Sequence, residues 1–342
     1  MKKILITGGC GFVGTNLSIN LNKEYEIFAL DNFSKKESRN NLKLLSDRDI
    51  KVIEQDIVNK SEVENIIKDL MPDSIIHLGA QVAMSESITN PLGDFETNVI
   101  GTLNILESLK QYSENTKLIN VSSNKVYGDI AWDEIDENST RYFSKKYKNG
   151  YNEEIPISFS GPYGCSKGSA EQYVLDYKKT FNLKTTSLRL STIYGPNQYS
   201  TYNQGWVGWF LNEVYKQTSK NKIEISIHGD GKQVRDILYI DDFCNLINNL
   251  LQNFDNVSGE VFNIGGGNNN SISILELLNY SKEIFKVSAD FDLALKEWRT
   301  ADQKYYASNI EKINKYTSWK PETNKEEGIN LYSKWLTSKS TN

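Results

Sequence analysis

The segment Thr7-Gly-Gly-Cys-Gly-Phe-Val-Gly14 follows the apolar run Lys3–Thr7 with no residue between them. A strand that runs straight into a glycine-rich turn and then a helix leaves few architectures open. Gly8, Gly11 and Gly14 allow a tight turn, close approach of backbone to a pyrophosphate, and close helix–strand packing. The helix that opens there offers its N-terminal amides and the positive end of its dipole to an anion. Further short runs rich in β-branched residues occur at Ile27–Asp31, Val52–Asp56, Ile75–Ala80, Leu118–Ser122 and Thr185–Thr192. Helix-period stretches such as Ser61–Leu70 and Ser85–Gln111 separate them. That rhythm predicts an α/β fold with a doubly wound parallel sheet of the Rossmann type.

The later chain is less regular. Gly205–Thr218, Asp241–Leu251, Ser273–Phe285 and Lys325–Leu336 read as helices, and Ile223–Ile227 and Val261–Ile264 as strands. We therefore expect residues 1–190 to carry the dinucleotide-binding domain and the catalytic groups. Residues 191–342 should form mainly a smaller C-terminal lobe, interleaved with part of the sheet. Residues 130–159 form a polar, aromatic insert, and a loop of that length is uncommon without a task.

Asp31 ends the second strand, where a carboxylate accepts hydrogen bonds from an adenosine ribose and repels a 2′-phosphate. This favours NAD over NADP, although Lys35, Lys36 and Arg39 follow closely. Asp56 suits either the adenine edge or a plain turn. The cofactor-contacting set expected from these elements is Gly8, Gly11, Phe12, Val13, Asp31, Asn32, Asp56, Ile57, Leu78 and Ala80.

Composition removes several other classes. A net charge of -5 argues against nucleic-acid binding. Cys10, Cys165 and Cys244 show no metal spacing and read as reduced thiols. Of the two histidines, His77 and His228, each ends an apolar run, which favours a packed or capping role over a metal site or a triad. No apolar run approaches the roughly 20 residues that cross a bilayer, and no signal peptide precedes the first strand. A cytoplasmic protein is the expectation.

Tyr163 and Lys167 stand four residues apart, on one face of a helix that should begin near Pro162. An ammonium beside a phenol favours the phenolate and lowers its pKa. Such a base can take a proton from an alcohol while a hydride leaves the carbon. Val121-Ser-Ser-Asn-Lys-Val-Tyr-Gly128 ends the fifth strand, at the sheet edge where ligands bind. Ser123 can hydrogen-bond the reacting hydroxyl there, whereas Ser122 reads as structural. Asn98, inside an apolar helix stretch, reads as a buried hydrogen-bonding residue near the strand ends.

The glycine loop, Ser123 and the Tyr163/Lys167 pair together resemble the extended short-chain dehydrogenase/reductase family of nucleotide-sugar enzymes, over nearly the whole chain. The resemblance implies that Tyr163 is the acid/base and that Lys167 also holds the nicotinamide ribose, with Ser123 beside them. It implies NAD as cofactor, a nucleotide-diphosphate sugar as substrate, and a homodimer or higher homo-oligomer. The dimer would pair the helices around Ser85–Gln111 and Pro162–Phe181. Dehydratases of the family place an Asp-Glu pair straight after the Ser/Thr. Asn124 and Lys125 stand there instead and cannot supply the extra acid and base of water elimination. Epimerisation, or a plain reduction, remains.

Several later motifs resemble the CDP-sugar 2-epimerase branch of the family. They are Gly161–Tyr173, Tyr202–Phe210, Gly229–Asp236, Trp298–Gln303 and, in the insert, Thr140–Tyr142 and Asn149–Glu154. Gly79 and the insert around Phe143–Tyr147 depart from the usual pattern. Candidate substrate contacts are Ser123, Asn124, Gln204, Trp206, Val207, Arg235, Arg299 and Asp302. The two guanidinium groups suit a diphosphate. Trp209 and Phe210 share helical spacing with Trp206 and read as core. A UDP-sugar 4-epimerase would use the same catalytic groups and differ only in how the sugar lies.

Overall fold

The computed structural model describes residues 1–340. In chain order the strands are β1 (Lys3–Thr7), β2 (Glu26–Asp31), β3 (Lys51–Glu54), β4 (Ser74–His77), β5 (Lys117–Ser123), β6 (Ile135–Glu137), β7 (Tyr142–Ser144) and β8 (Thr185–Leu190). They continue as β9 (Thr192–Tyr194), β10 (Lys222–His228), β11 (Val234–Tyr239), β12 (Val261–Ile264), β13 (Ser271–Ser273), β14 (Asp290–Lys296) and β15 (Tyr305–Tyr306). Seven of them form one sheet in the order β12-β8-β5-β4-β1-β2-β3. Every pairing within it is parallel.

Both faces of this sheet are covered, as an all-parallel sheet requires. Along β1, Ile4 and Ile6 join one apolar cluster and Leu5 the other. In β4 and β5, Ile76 and Ile119 face the first cluster, and Ile75 and Leu118 the second. The winding reverses between β1 and β4, so a crevice opens beyond their carboxyl ends. The turn after β1 and the end of β5 both meet that crevice.

The remaining strands build a smaller lobe. β10 pairs with β14, while β11 is flanked by β13 and β15 and also pairs with β9. The helices Trp206–Lys216 and Ile274–Phe285 pack into the first apolar cluster beside it. β12 returns to the large sheet from within this half of the sequence.

Two regions differ from their sequence expectation. The continuous helix expected over Ser85–Gln111 is broken into Met84–Thr89, Pro91–Phe95, a π-helical turn Glu96–Ile100 and Gly101–Tyr112. Pro91 has no amide hydrogen to continue the first segment, and the Asn90 side chain caps the next by accepting from the Gly93 amide. The insert is ordered. β6 and β7 form a hairpin, and Tyr142, Tyr151 and Ile155 pack with Val126, Tyr127, Val234, Tyr305 and Tyr306 in a third apolar cluster. The insert thus braces the end of β5 against the smaller lobe.

Candidate active site

A cavity of about 830 Å³ lies in the crevice and reaches from the glycine loop to the smaller lobe. Its floor is the loop after β1. Gly8 adopts φ +65°, and a Cβ at Gly14 would lie 2.3 Å from the Gly8 carbonyl oxygen, so no side chain fits there without moving backbone. Gly8, Gly11, Phe12, Val13, Asp31, Asn32, Asp56, Ile57, Leu78 and Ala80 all line the cavity.

Asp31 is held from two sides. Its carboxylate accepts from the Phe33 amide at 2.9 Å and the Cys10 amide at 3.1 Å. Burial raises its pKa, and these amides counter part of that rise. A carboxylate has about four acceptor sites, so capacity remains for two ribose hydroxyls. Asp56 caps its own turn through the Val58 amide, and on the cavity wall it accepts from the Asn32 side chain at 2.8 Å. Of the basic residues after Asp31, Lys35 lines the cavity and two are ion-paired. Lys35 pairs with Glu86 at 2.5 Å, and Arg39 with Glu54 at 3.4 Å. The residues present therefore fit a dinucleotide whose adenosine ribose carries no 2′-phosphate.

The helix Gly161–Phe181 brings Tyr163 and Lys167 to the end of β5. Ser123, Tyr163 and Lys167 line one wall of the same cavity. All three are buried. The geometry corrects the expected electrostatics of the pair. Burial raises the Tyr163 pKa to about 12, a hydrogen bond with Ser123 works in the opposite direction, and Asp94 adds to the rise. The Lys167 ammonium donates to the Val121 carbonyl at 2.7 Å rather than to the phenol. Burial lowers Lys167 to about 8, against the support of Glu171 and Asp94. Beneath them Asn98 is buried, as expected. Its side chain binds both backbone groups of Gln81 and reaches the Ser166 hydroxyl at 2.9 Å. The Ser122 hydroxyl is buried at the cavity wall and finds no hydrogen-bond partner among the described residues.

On the opposite side, the smaller lobe contributes charged groups. Arg235, on β11, donates to Asp302 at 2.6 Å. Arg299 donates to the Tyr202 carbonyl at 3.0 Å and stacks over the Tyr202 ring. Gln204 and Trp206 line the cavity. Val207 does not: it points into the apolar core, one position round the helix from Trp206. The reverse correction holds for Trp209 and Phe210, which both reach the cavity wall while packing against the core. Asn124 lines the cavity and donates at 3.2 Å to Gln303, whose own amide donates to the Gly128 carbonyl at 2.6 Å. Gln303 is fully buried, so the turn after Ser123 is tied directly to the segment that carries Arg299 and Asp302. Sequence reasoning missed Gln198, Gln233 and Trp298 as lining residues, and it gave Lys125 no role in the site.

His77 is buried, whereas His228 is half-buried and lines the cavity. His77 lies between the Thr7 and Thr102 hydroxyls and is pushed down to about 3 by burial. His228 is bracketed by the Tyr202 hydroxyl and the Glu297 carbonyl. Among the described residues, no cluster of acidic, histidine or cysteine side chains could hold a metal. None of their helices is long and apolar enough to cross a membrane.

A family model described as GDP-mannose 4,6 dehydratase matches residues 5–332. The chain belongs to that family. Within it, the chain is 42% identical over 339 residues to the CDP-paratose 2-epimerase of Salmonella typhi, covering 98% of this chain and 99% of that one. Among solved structures it is similar to a UDP-glucose 4-epimerase of Thermotoga maritima with UDP-glucose, at TM-score 0.82 and 28% identity, covering 99% of each chain. It is also similar to the Thermus thermophilus UDP-glucose 4-epimerase complex with NAD, at TM-score 0.80 and 26% identity over 98% of this chain and 99% of that one. The Rossmann-type sheet and the membership of the extended short-chain dehydrogenase/reductase group follow from these matches.

Proposed function

We propose that this protein is an NAD-dependent epimerase of a nucleotide-diphosphate sugar that inverts C2 of CDP-paratose to give CDP-tyvelose. One observation carries the reading: the Tyr163 phenol and Ser123 stand on the wall of the same cavity whose floor is a dinucleotide-type glycine loop. The full-length likeness to a CDP-paratose 2-epimerase supports the choice of sugar and carbon. Asn124 and Lys125, in place of an acid pair, argue against dehydration.

NAD, when bound, supplies reversible uptake and return of a hydride at the sugar carbon. The chain does the rest. Gly8, Gly11, Phe12 and Val13 cradle the pyrophosphate, and Asp31 accepts the adenosine ribose hydroxyls. Tyr163 takes the C2 hydroxyl proton as C2 becomes a ketone, and returns it after the 2-keto sugar has presented its other face. Ser123 bridges the phenol and that hydroxyl. Lys167, whose ammonium donates to the Val121 carbonyl, would hold the nicotinamide ribose. Asn124, Gln204, Trp206, Arg235, Arg299 and Asp302 surround the sugar and its diphosphate.

The close overlay on UDP-glucose 4-epimerases favours a second reading, inversion at C4 of a UDP-sugar. Proton NMR of the products from CDP-paratose and UDP-glucose separates the two. Appearance of CDP-tyvelose supports the first, and conversion of UDP-glucose alone would overturn it. The protein should act in the cytoplasm as a homodimer. Ile88, Leu92, Phe95, Tyr173 and Phe181 are exposed on the helical segments between 84 and 95 and on 161–181, which supports pairing there.

A further inference from the structure

We propose that Lys125 selects the reacting carbon: its ammonium grips the phosphate next to the sugar and so brings the carbon beside the anomeric centre to Ser123 and Tyr163. The inference rests on the epimerase reading above and deepens it.

Lys125 belongs to the same rigid turn as the catalytic serine. Its amide donates to the Ser123 hydroxyl oxygen at 3.2 Å. Its carbonyl oxygen would lie 2.9 Å from a Cβ placed on Gly164, so the turn packs directly on the helix next to Tyr163. The buried Asn124–Gln303 contact fixes the turn from the other side. The Lys125 side chain lines the cavity and is only 12% exposed. A cation and the proton-handling hydroxyls therefore branch from one small scaffold.

The partners of this ammonium leave it available. Lys125 reaches the Asp302 carboxylate and the Ala301 carbonyl at 3.4 Å each, beyond the range of a good charge-assisted hydrogen bond. Arg235 holds the same Asp302 oxygen at 2.6 Å. With Arg299, three cations line this part of the cavity together with Asp302 and Glu297. Burial, Arg235 and Arg299 hold Lys125 down to about 8, with Asp302 opposing them. It is charged at neutral pH, and an incoming diphosphate relieves the excess of positive charge.

The geometry of the sugar does the selecting. The hydroxyl on C2 is one carbon from the anomeric carbon that carries the phosphate. The hydroxyl on C4 lies across the ring. A phosphate held by a side chain of the turn that carries Ser123 keeps the anomeric end of the sugar, and C2 with it, closer to that turn than C4.

The test compares wild type, Lys125→Met and Lys125→Arg with CDP-paratose, reading KM, kcat, NAD affinity and thermal unfolding. Lys125→Met should raise KM at least tenfold while NAD affinity and the unfolding temperature stay at wild-type values, and Lys125→Arg should recover most of the loss. A Lys125→Met enzyme with wild-type KM overturns the inference. So does a Lys125→Arg enzyme that folds and binds NAD normally yet binds substrate no better than Lys125→Met. A wild-type protein that leaves CDP-paratose unchanged removes the epimerase reading itself, which is a separate outcome.

Discussion

A phenol buried as deeply as Tyr163 loses the water that would stabilise its anion, and its pKa of about 12 reflects that loss. The Ser123 hydroxyl offsets part of it. Replacing Tyr163 by Phe removes the oxygen proposed to take and return the proton. Turnover should fall by about 10²–10⁴-fold while NAD affinity, measured by fluorescence titration, is unchanged. Full activity would remove Tyr163 from the chemistry. His77 makes a separate residue-scale prediction about stability. Its ordinary pKa of 6.5 is pushed to about 3 in the fold. Below pH 6.5 the unfolded chain takes up a proton that the folded chain refuses until about pH 3. The stability owed to neutral His77 is therefore complete above pH 6.5 and is lost at about 1.4 kcal/mol per pH unit as the pH falls through that window. Denaturant unfolding of His77→Asn between pH 4 and 7 should show a shallower acid slope than wild type, and an identical slope would contradict the assignment.

Between the helix Gly161–Phe181 and β8 lies a buried ion pair. Arg189 donates to both Glu171 oxygens, and its other arm donates to the Tyr127 hydroxyl, which in turn binds Asn263. Glu171 and Arg189 are almost fully buried. Arg189→Met strands a carboxylate without a partner and should cost about 3–5 kcal/mol of unfolding free energy, measured by chemical denaturation. A loss under about 1 kcal/mol would show that the helix is held by its apolar contacts alone. Elements of this kind divide into those the sequence announces and those it hides. β1 and its glycine loop are local: apolar run, turn and helix start are contiguous, so position and purpose are both readable. The run Ser85–Gln111 is readable as helix, but its breaks are not fully so, because the π-helical turn at Glu96–Ile100 has no residue signature of its own. It coincides with Asn98, whose side chain is tied to Gln81 and Ser166, contacts that exist only in the folded chain. The insert reads as polar and aromatic, yet Tyr151 finds its partners in Tyr305 and Tyr306, more than a hundred residues away. Val207 and Trp209 were misplaced for a related reason. Helical spacing defines a face but not which neighbour covers it.

At the scale of the whole molecule, the large sheet carries the glycine loop, Ser123, Tyr163 and Lys125, and the smaller lobe carries Arg235 and Arg299. Gln303, Lys125 and Asp302 span the seam between them, so substrate that bridges the seam should be felt by both halves. The exposed apolar side chains on the helices at 84–95 and 161–181 give the molecule one further expected contact, with its own copy. Size-exclusion chromatography with light scattering should report a dimer for the wild type, and Leu92→Glu, at a residue 75% exposed, should shift it to monomer. A wild type that remains monomeric at high concentration would contradict the pairing. The central claim is that one carbon, C2, gives up a hydride and receives the same hydride back on its other face. CDP-paratose carrying deuterium at C2 tests it directly, with products followed by proton NMR in ordinary water. The account predicts CDP-tyvelose with the deuterium still on C2. Loss of the label to solvent, or turnover that leaves C2 untouched, would contradict it.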